Sequence, residues 1–104
     1  MAMRESAVEA ALHRYVKKVG GLSFKLAPTV KGIPDRLVIL PGGHIHLVEL
    51  KTSGGRLSPA QLLWHDRAAQ RGVTVTVLHS VEEVRAWLAR IISHPDYPER
   101  IDPL

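Results

Sequence analysis

Apolar and polar positions alternate along this chain in two different rhythms, and the change of rhythm marks the elements. Residues 5–19 place Val8, Leu12, Tyr15, Val16 and Val19 at the spacing of one helical face. Gly20-Gly21 follows, with Lys17 and Lys18 in the last turn, as a C-terminal stop. Leu22 to Leu26 reads as a short strand, and Ala27 to Pro34 as a loop broken by Pro28, Gly32 and Pro34. Arg36 to Leu40 and Ile45 to Leu50 are apolar strands joined by Pro41-Gly42-Gly43 as a hairpin turn. Thr52 to Leu57 reads as a loop. Ser58 then caps a helix that has Pro59 at its first position and stops at Gly72. The β-branched run from Val73 to Leu78 predicts a strand. Ser80 and Glu83, three apart, predict a capping box that opens a last helix to about Ile92. The predicted order is α-β-β-β-α-β-α. A hairpin followed by a helical crossover implies an α/β fold with a mixed sheet flanked by helices.

With 104 residues the chain has room for one domain, assigned to residues 1–93, with residues 94–104 as an irregular tail holding Pro95, Pro98 and Pro103. No apolar run approaches the roughly 20 residues that span a bilayer. The opening MAMRES lacks the apolar core of a signal peptide, and there is no cysteine. The expectation is a cytoplasmic protein with no membrane contact. The formal net charge of +4 makes a polyanionic partner, nucleic acid above all, a candidate. The basic residues are dispersed, so any basic surface must be assembled by folding.

The chemistry gathers on the hairpin. Asp35 stands where one strand begins, and Glu49 and Lys51 stand at the end of the next, on one face because residues two apart in a strand point the same way. A three-residue turn at 41–43 pairs Leu40 with His44, Leu37 with Leu47 and Asp35 with Glu49. Two carboxylates directly opposite each other repel unless a cation joins them. Mg²⁺ takes carboxylate oxygens and keeps several waters, so the pair reads as a metal site. Lys51 beside it would position a water or stabilise charge developing on a phosphate, an arrangement suited to phosphodiester hydrolysis.

The first helix carries Glu5 and Glu9 on the face of Val8, Leu12 and Val16, and one of them is expected to serve the site. Gln61, in the first turn of the second helix, is a further candidate. Lys31, Arg36 and Arg56 flank the site as candidate DNA contacts. His44 and His46 share a strand face, but no third ligand has matching spacing, so no zinc site is expected. Trp64 and Trp87 sit at core-facing helical positions.

Gly32-Ile33-Pro34-Asp35-Arg36, Val48-Glu49-Leu50-Lys51 and Ser58-Pro59-Ala60-Gln61 together resemble the stand-alone VRR-NUC (virus-type replication-repair nuclease) domains, members of the PD-(D/E)xK superfamily. The resemblance covers about residues 4–90. It implies a restriction-endonuclease-like core and dependence on Mg²⁺, with Mn²⁺ as a substitute. It implies Asp35, Glu49 and the Leu50 carbonyl as metal ligands, Lys51 as catalytic, Gln61 as a site residue, and an acid on the first helix: Glu5 by the spacing of this family, Glu9 by that of the similar Holliday-junction resolvases. It further implies a homodimer that cuts branched DNA in a bacterial or phage-infected cell. Two other readings are a nuclease acting on flaps or nicked duplex, and a non-catalytic nucleic-acid-binding module of the same fold.

Overall fold

The computed structural model describes residues 4–98, and the end of the predicted tail, 99–104, lies outside the described residues. The elements are α1 (Glu5–Lys18), β1 (Leu22–Lys25), β2 (Arg36–Leu40), β3 (His44–Leu50), α2 (Pro59–Gln70), β4 (Thr76–Leu78) and α3 (Val81–Ile92), in the predicted order. The strands form one sheet in the order β1-β2-β3-β4, antiparallel except where β4 joins β3 in parallel.

The hairpin has the register that a three-residue turn dictates: Leu40 opposite His44, Ile39 opposite Ile45, Leu37 opposite Leu47 and Arg36 opposite Val48. The two faces of β2 and β3 then meet different fates. Val38, Leu40, Val48 and Leu50 are buried with Val8, Leu12 and Val16 of α1 and Val84, Trp87 and Leu88 of α3, and this is the core. On the other face Leu37, Ile39 and Leu47 are half-buried and Ile45 is exposed. There α2 stands over Leu47, with Trp64 and Ala68 lining a groove between them, and α2 buries no residue fully. Trp87 is thus a core residue, whereas Trp64 is a groove wall.

β4 is shorter than the sequence pattern predicts. The amide of Val73 donates to Ala68 O at 2.9 Å and that of Gly72 to Ala69 O at 3.0 Å, which closes α2 with a Schellman-type stop. Val73 is consumed by that stop, and parallel pairing begins only at Thr76 opposite Val48.

The capping at α3 also differs in detail. Ser80 Oγ accepts from the Glu83 amide at 3.1 Å, but the Glu83 carboxylate reaches past Ser80 and accepts from the His79 amide at 3.0 Å. The reciprocal box forms instead at α2, between Ser58 and Gln61. Ser80→Ala removes the acceptor for the Glu83 amide and is expected to cost about 1 kcal/mol, read from the urea midpoint. In the described part of the tail, Tyr97 packs on the core and stacks on His44 with ring centroids 5.5 Å apart.

Candidate active site

The site grows from the open end of the hairpin. The Asp35 carbonyl accepts from the Leu26 amide at 2.8 Å, so Asp35 continues the β1–β2 ladder one step beyond β2. The same step along the β2–β3 register sets Asp35 against Glu49. Across the sheet, the Lys51 amide donates to Leu78 O at 3.0 Å and fixes the end of β3 against β4. The sequence triplet Asp35, Glu49, Lys51 is therefore brought together by three strands rather than by a loop.

Glu49 is fully buried, with no exposed surface. Its pKa is pushed up to about 8, first by burial, then by the Asp35 carboxyl beside it; Lys51 opposes the rise and Glu5 adds to it. At neutral pH, with no cation present, Glu49 is therefore mostly protonated, and a proton does part of the work expected of a metal. Asp35 relieves its own charge differently: Oδ2 accepts from the Leu50 amide at 2.8 Å. Glu49 Oε1 lies 3.3 Å from His65 Nε2, and Oε2 is buried without a hydrogen-bond partner among the described residues.

An unpartnered buried carboxylate oxygen facing a second carboxylate is the donor set of a hard divalent ion. Among the described residues no three His, Asp or Glu side chains converge as metal ligands. Two carboxylates and a shell completed by water, backbone carbonyl or substrate phosphate suit Mg²⁺, which gives up its waters reluctantly. The residues present fit such an ion.

Of the two helix acids, Glu5 acts on Glu49 through its charge, while Glu9 is taken by Arg36, whose Nη1 lies 3.3 Å from Glu9 Oε2. Arg36 itself is buried, with Nε donating to Ser23 Oγ at 3.0 Å and Nη2 to Ser23 O at 3.2 Å. This corrects the expectation of a DNA contact at Arg36. With its donors spent inside the fold, it ties β1 and β2 to α1. Lys31 and Arg56 are exposed, as phosphate contacts require. Gln61 makes no hydrogen bond to the acids among the described residues: its Oε1 accepts from the Ser58 amide at 2.8 Å while its own amide donates to Ser58 Oγ at 3.2 Å. Its contribution here is to shape the start of α2.

The sequence pattern does not single out His65, which lies one helical turn after Gln61 and so on the same side of α2. The i,i+4 spacing was the available signal. Burial, then the charge of Lys51, lower the His65 pKa, and its Nε2 shares a hydrogen bond with Glu49 Oε1. Gly32 lets the loop before β2 lie directly against the start of α2. It has φ of 89° and lies so close to α2 that a Cβ would meet Ala60 O at 2.2 Å. The Gly-x-Pro-Asp and Ser-Pro-x-Gln segments, separate in sequence, are thus one packed unit that aligns His65 with Glu49.

The sequence pattern of the VRR-NUC domain matches residues 3–82. Over 79 residues the chain is 43% identical to "Putative nuclease p44" of Acyrthosiphon pisum secondary endosymbiont phage 1, covering 75% of this chain and 85% of that protein. A solved VRR_NUC domain superposes with a TM-score of 0.76 at 36% identity, over 82% of this chain and 94% of its own. A second, a VRR_NUC domain protein, matches in fold over the full length of both chains with a TM-score of 0.71 at 20% identity.

Proposed function

Since the chain belongs to the VRR-NUC family of nuclease domains, we propose that it hydrolyses phosphodiester bonds in DNA with Mg²⁺, or Mn²⁺ in its place, held by Asp35, Glu49 and the Leu50 carbonyl. The observation that carries this reading is the buried Glu49 carboxylate facing Asp35 with Oε2 unsatisfied. Bound there, the ion would polarise a phosphoryl oxygen and acidify a water. The remaining roles fall to the chain's own groups. Lys51 brings a positive charge to the strand end, where it orients the attacking water and offsets charge on the phosphate. His65 holds one oxygen of Glu49 and leaves the other for the ion. Glu5 adds negative charge beside the pair, and exposed Lys31 and Arg56 hold the flanking phosphates.

We further propose branched DNA, four-way junctions included, as the substrate, and a homodimer as the working form. Leu22, Phe24 and Ile45 lie exposed on the sheet face away from the core and supply apolar surface for a second copy. The test is cleavage of four-way, flap, nicked and linear DNA with Mg²⁺. Lys51→Ala is expected to slow cleavage by roughly 10² to 10³-fold while DNA binding persists. Unchanged cleavage by that variant would remove the active-site assignment and leave a binding module. Equal cutting of linear duplex would remove the junction preference, and a flap preference would select that reading instead. Solution mass should be about twice the 11.5 kDa of one chain.

A further inference from the structure

The groove between α2 and the sheet lies on the same sheet face as the acids. Leu47 lines it from β3, and Glu49 follows two positions later on that face, about 7 Å along the strand. α2 runs alongside in step: Trp64 lines the groove with Leu47, and His65, the next residue, bonds to Glu49 Oε1. The groove holds about 370 Å³, within the roughly 300–1,000 Å³ of small-ligand sites. Its walls are apolar, with Val30 and Val73 left exposed, and none of the described residues lining it is acidic.

Two cations, Arg67 and Arg71, complete the lining from the end of α2, and both are exposed. Basic groups there suit the helix dipole. Yet neither makes an ion pair among the described residues. Arg71 Nη1 donates to Arg67 O at 2.8 Å, which holds that guanidinium on the helix end, while the Arg67 guanidinium has no hydrogen-bond partner among the described residues. An indole in an open apolar slot flanked by arginines complements a nucleotide: any base can stack on the ring, and guanidiniums take phosphate oxygens. A second copy of this chain, itself carrying a net charge of +4, complements that charge less well.

We propose that this groove takes one extruded or unpaired base of the DNA substrate, set against Trp64, with Arg67 and Arg71 on the phosphates beside it. The pocket rests on the nuclease reading for its choice of polyanion. Extruding a base costs unstacking and unpairing, and costs least where the base has already lost its partner. Flaps, bulges and branch points offer nucleotides with lost or weakened pairing and stacking, and perfect duplex does not. With the groove and the acids only a short step apart on one strand, neighbouring nucleotides of one DNA strand can occupy both. Base capture thus sets an adjacent phosphate at Asp35 and Glu49, and gives a preference for branched DNA that reads no sequence.

The test is titration, in EDTA where nothing is cut, of a fluorescein-labelled duplex carrying one unpaired thymidine and of the same duplex with an abasic residue in its place. The native chain is expected to bind the first on the order of tenfold more tightly. Trp64→Ala should erase that difference while affinity for the abasic duplex holds, which a folding defect would not do, and Trp64→Phe should restore most of it. Arg67→Ala should weaken binding of both duplexes alike, with a salt slope shallower by about 1. Equal binding of the two duplexes by the native chain overturns the pocket, as does a Trp64→Ala loss that is the same on both. A Trp64→Ala chain of half the native solution mass would give the groove to a second copy and overturn it too. Lys51→Ala separates the two readings: retained cleavage there sinks the active site, whereas the pocket stands or falls on binding alone.

Discussion

Glu49→Gln is expected to abolish cleavage and, in the metal-free protein, to raise stability. The two effects have one cause. Glu49 has no exposed surface and its pKa is raised to about 8, so the fold holds this group more comfortably neutral than charged. In the unfolded chain it titrates near the ordinary carboxylate value. Between the two values the native state binds a proton that the unfolded state has released, and stability falls as pH rises. The stability that the protonated carboxyl supports is complete at pH values below the ordinary carboxylate range and is lost as pH climbs through about 8. Glutamine keeps the shape and stays neutral throughout. In EDTA above pH 8 the variant should therefore unfold later than the native chain, by on the order of a few kcal/mol, and the gap should close at pH 4. The amide offers the ion no negative charge, which removes several kcal/mol of transition-state stabilisation, so cleavage should fall by at least about 10³-fold. For the native chain, each Mg²⁺ bound below pH 8 must displace the Glu49 proton, so metal affinity should rise with pH and level off above it. Calorimetric titration with Mn²⁺ and urea unfolding at the two pH values read both effects. A variant that cuts within tenfold of the native rate, or whose metal-free stability at high pH is lower, would overturn this account of the pair.

Such a trade of stability for a charged buried site explains why the hairpin was legible from sequence. The alternation of apolar positions and the Pro-Gly-Gly turn allow one register, and that register sets two acids face to face whatever the rest of the chain does. Local rules suffice there, as they do for the three helices, each of whose ends is set by residues within a turn of it. The parts that local rules missed depend on distant partners. Arg36 reads as a free cation beside the site, and only the position of Ser23 and Glu9, on β1 and α1, shows that its donors are spent. Glu5 and Glu9 share a helical face and are indistinguishable until Arg36 takes one of them. Both faces of β2 and β3 are apolar, so the sequence could not say which one meets α1 and α3. His65 reads as a plain helix residue until Gly32 seats α2 over the sheet face that carries Glu49. The joining of Gly32 to the start of α2 is hidden from local rules in the same way, because the two segments lie far apart in the chain.

That joint should be the most fragile point in the protein. In Gly32→Ala the new methyl would stand 2.2 Å from Ala60 O and 2.6 Å from Ala60 C, both backbone atoms, at a φ of 89° that side chains rarely adopt. No rotamer change relieves a clash with backbone, so either the 27–34 loop or the first turn of α2 must move. Overpacking and φ strain together are expected to cost about 2–4 kcal/mol, a fall in Tm of roughly 8–20 °C for a domain of this size. The loop leads straight into buried Pro34 and Asp35, and α2 carries His65, so either movement misplaces a group bonded around the acids. A displacement near 1 Å there should cost on the order of 10²-fold in cleavage at a temperature where the variant is still folded. Gly54→Ala separates strain from collision. Its φ is 78°, but nothing stands within 4 Å of the added methyl, so only the conformational strain of about 1 kcal/mol should appear and the cleavage rate should hold. Thermal unfolding and single-turnover cleavage of both variants decide the matter. Equal, small losses in the two would mean that α2 is not seated on Gly32, and that His65 owes its place beside Glu49 to something else.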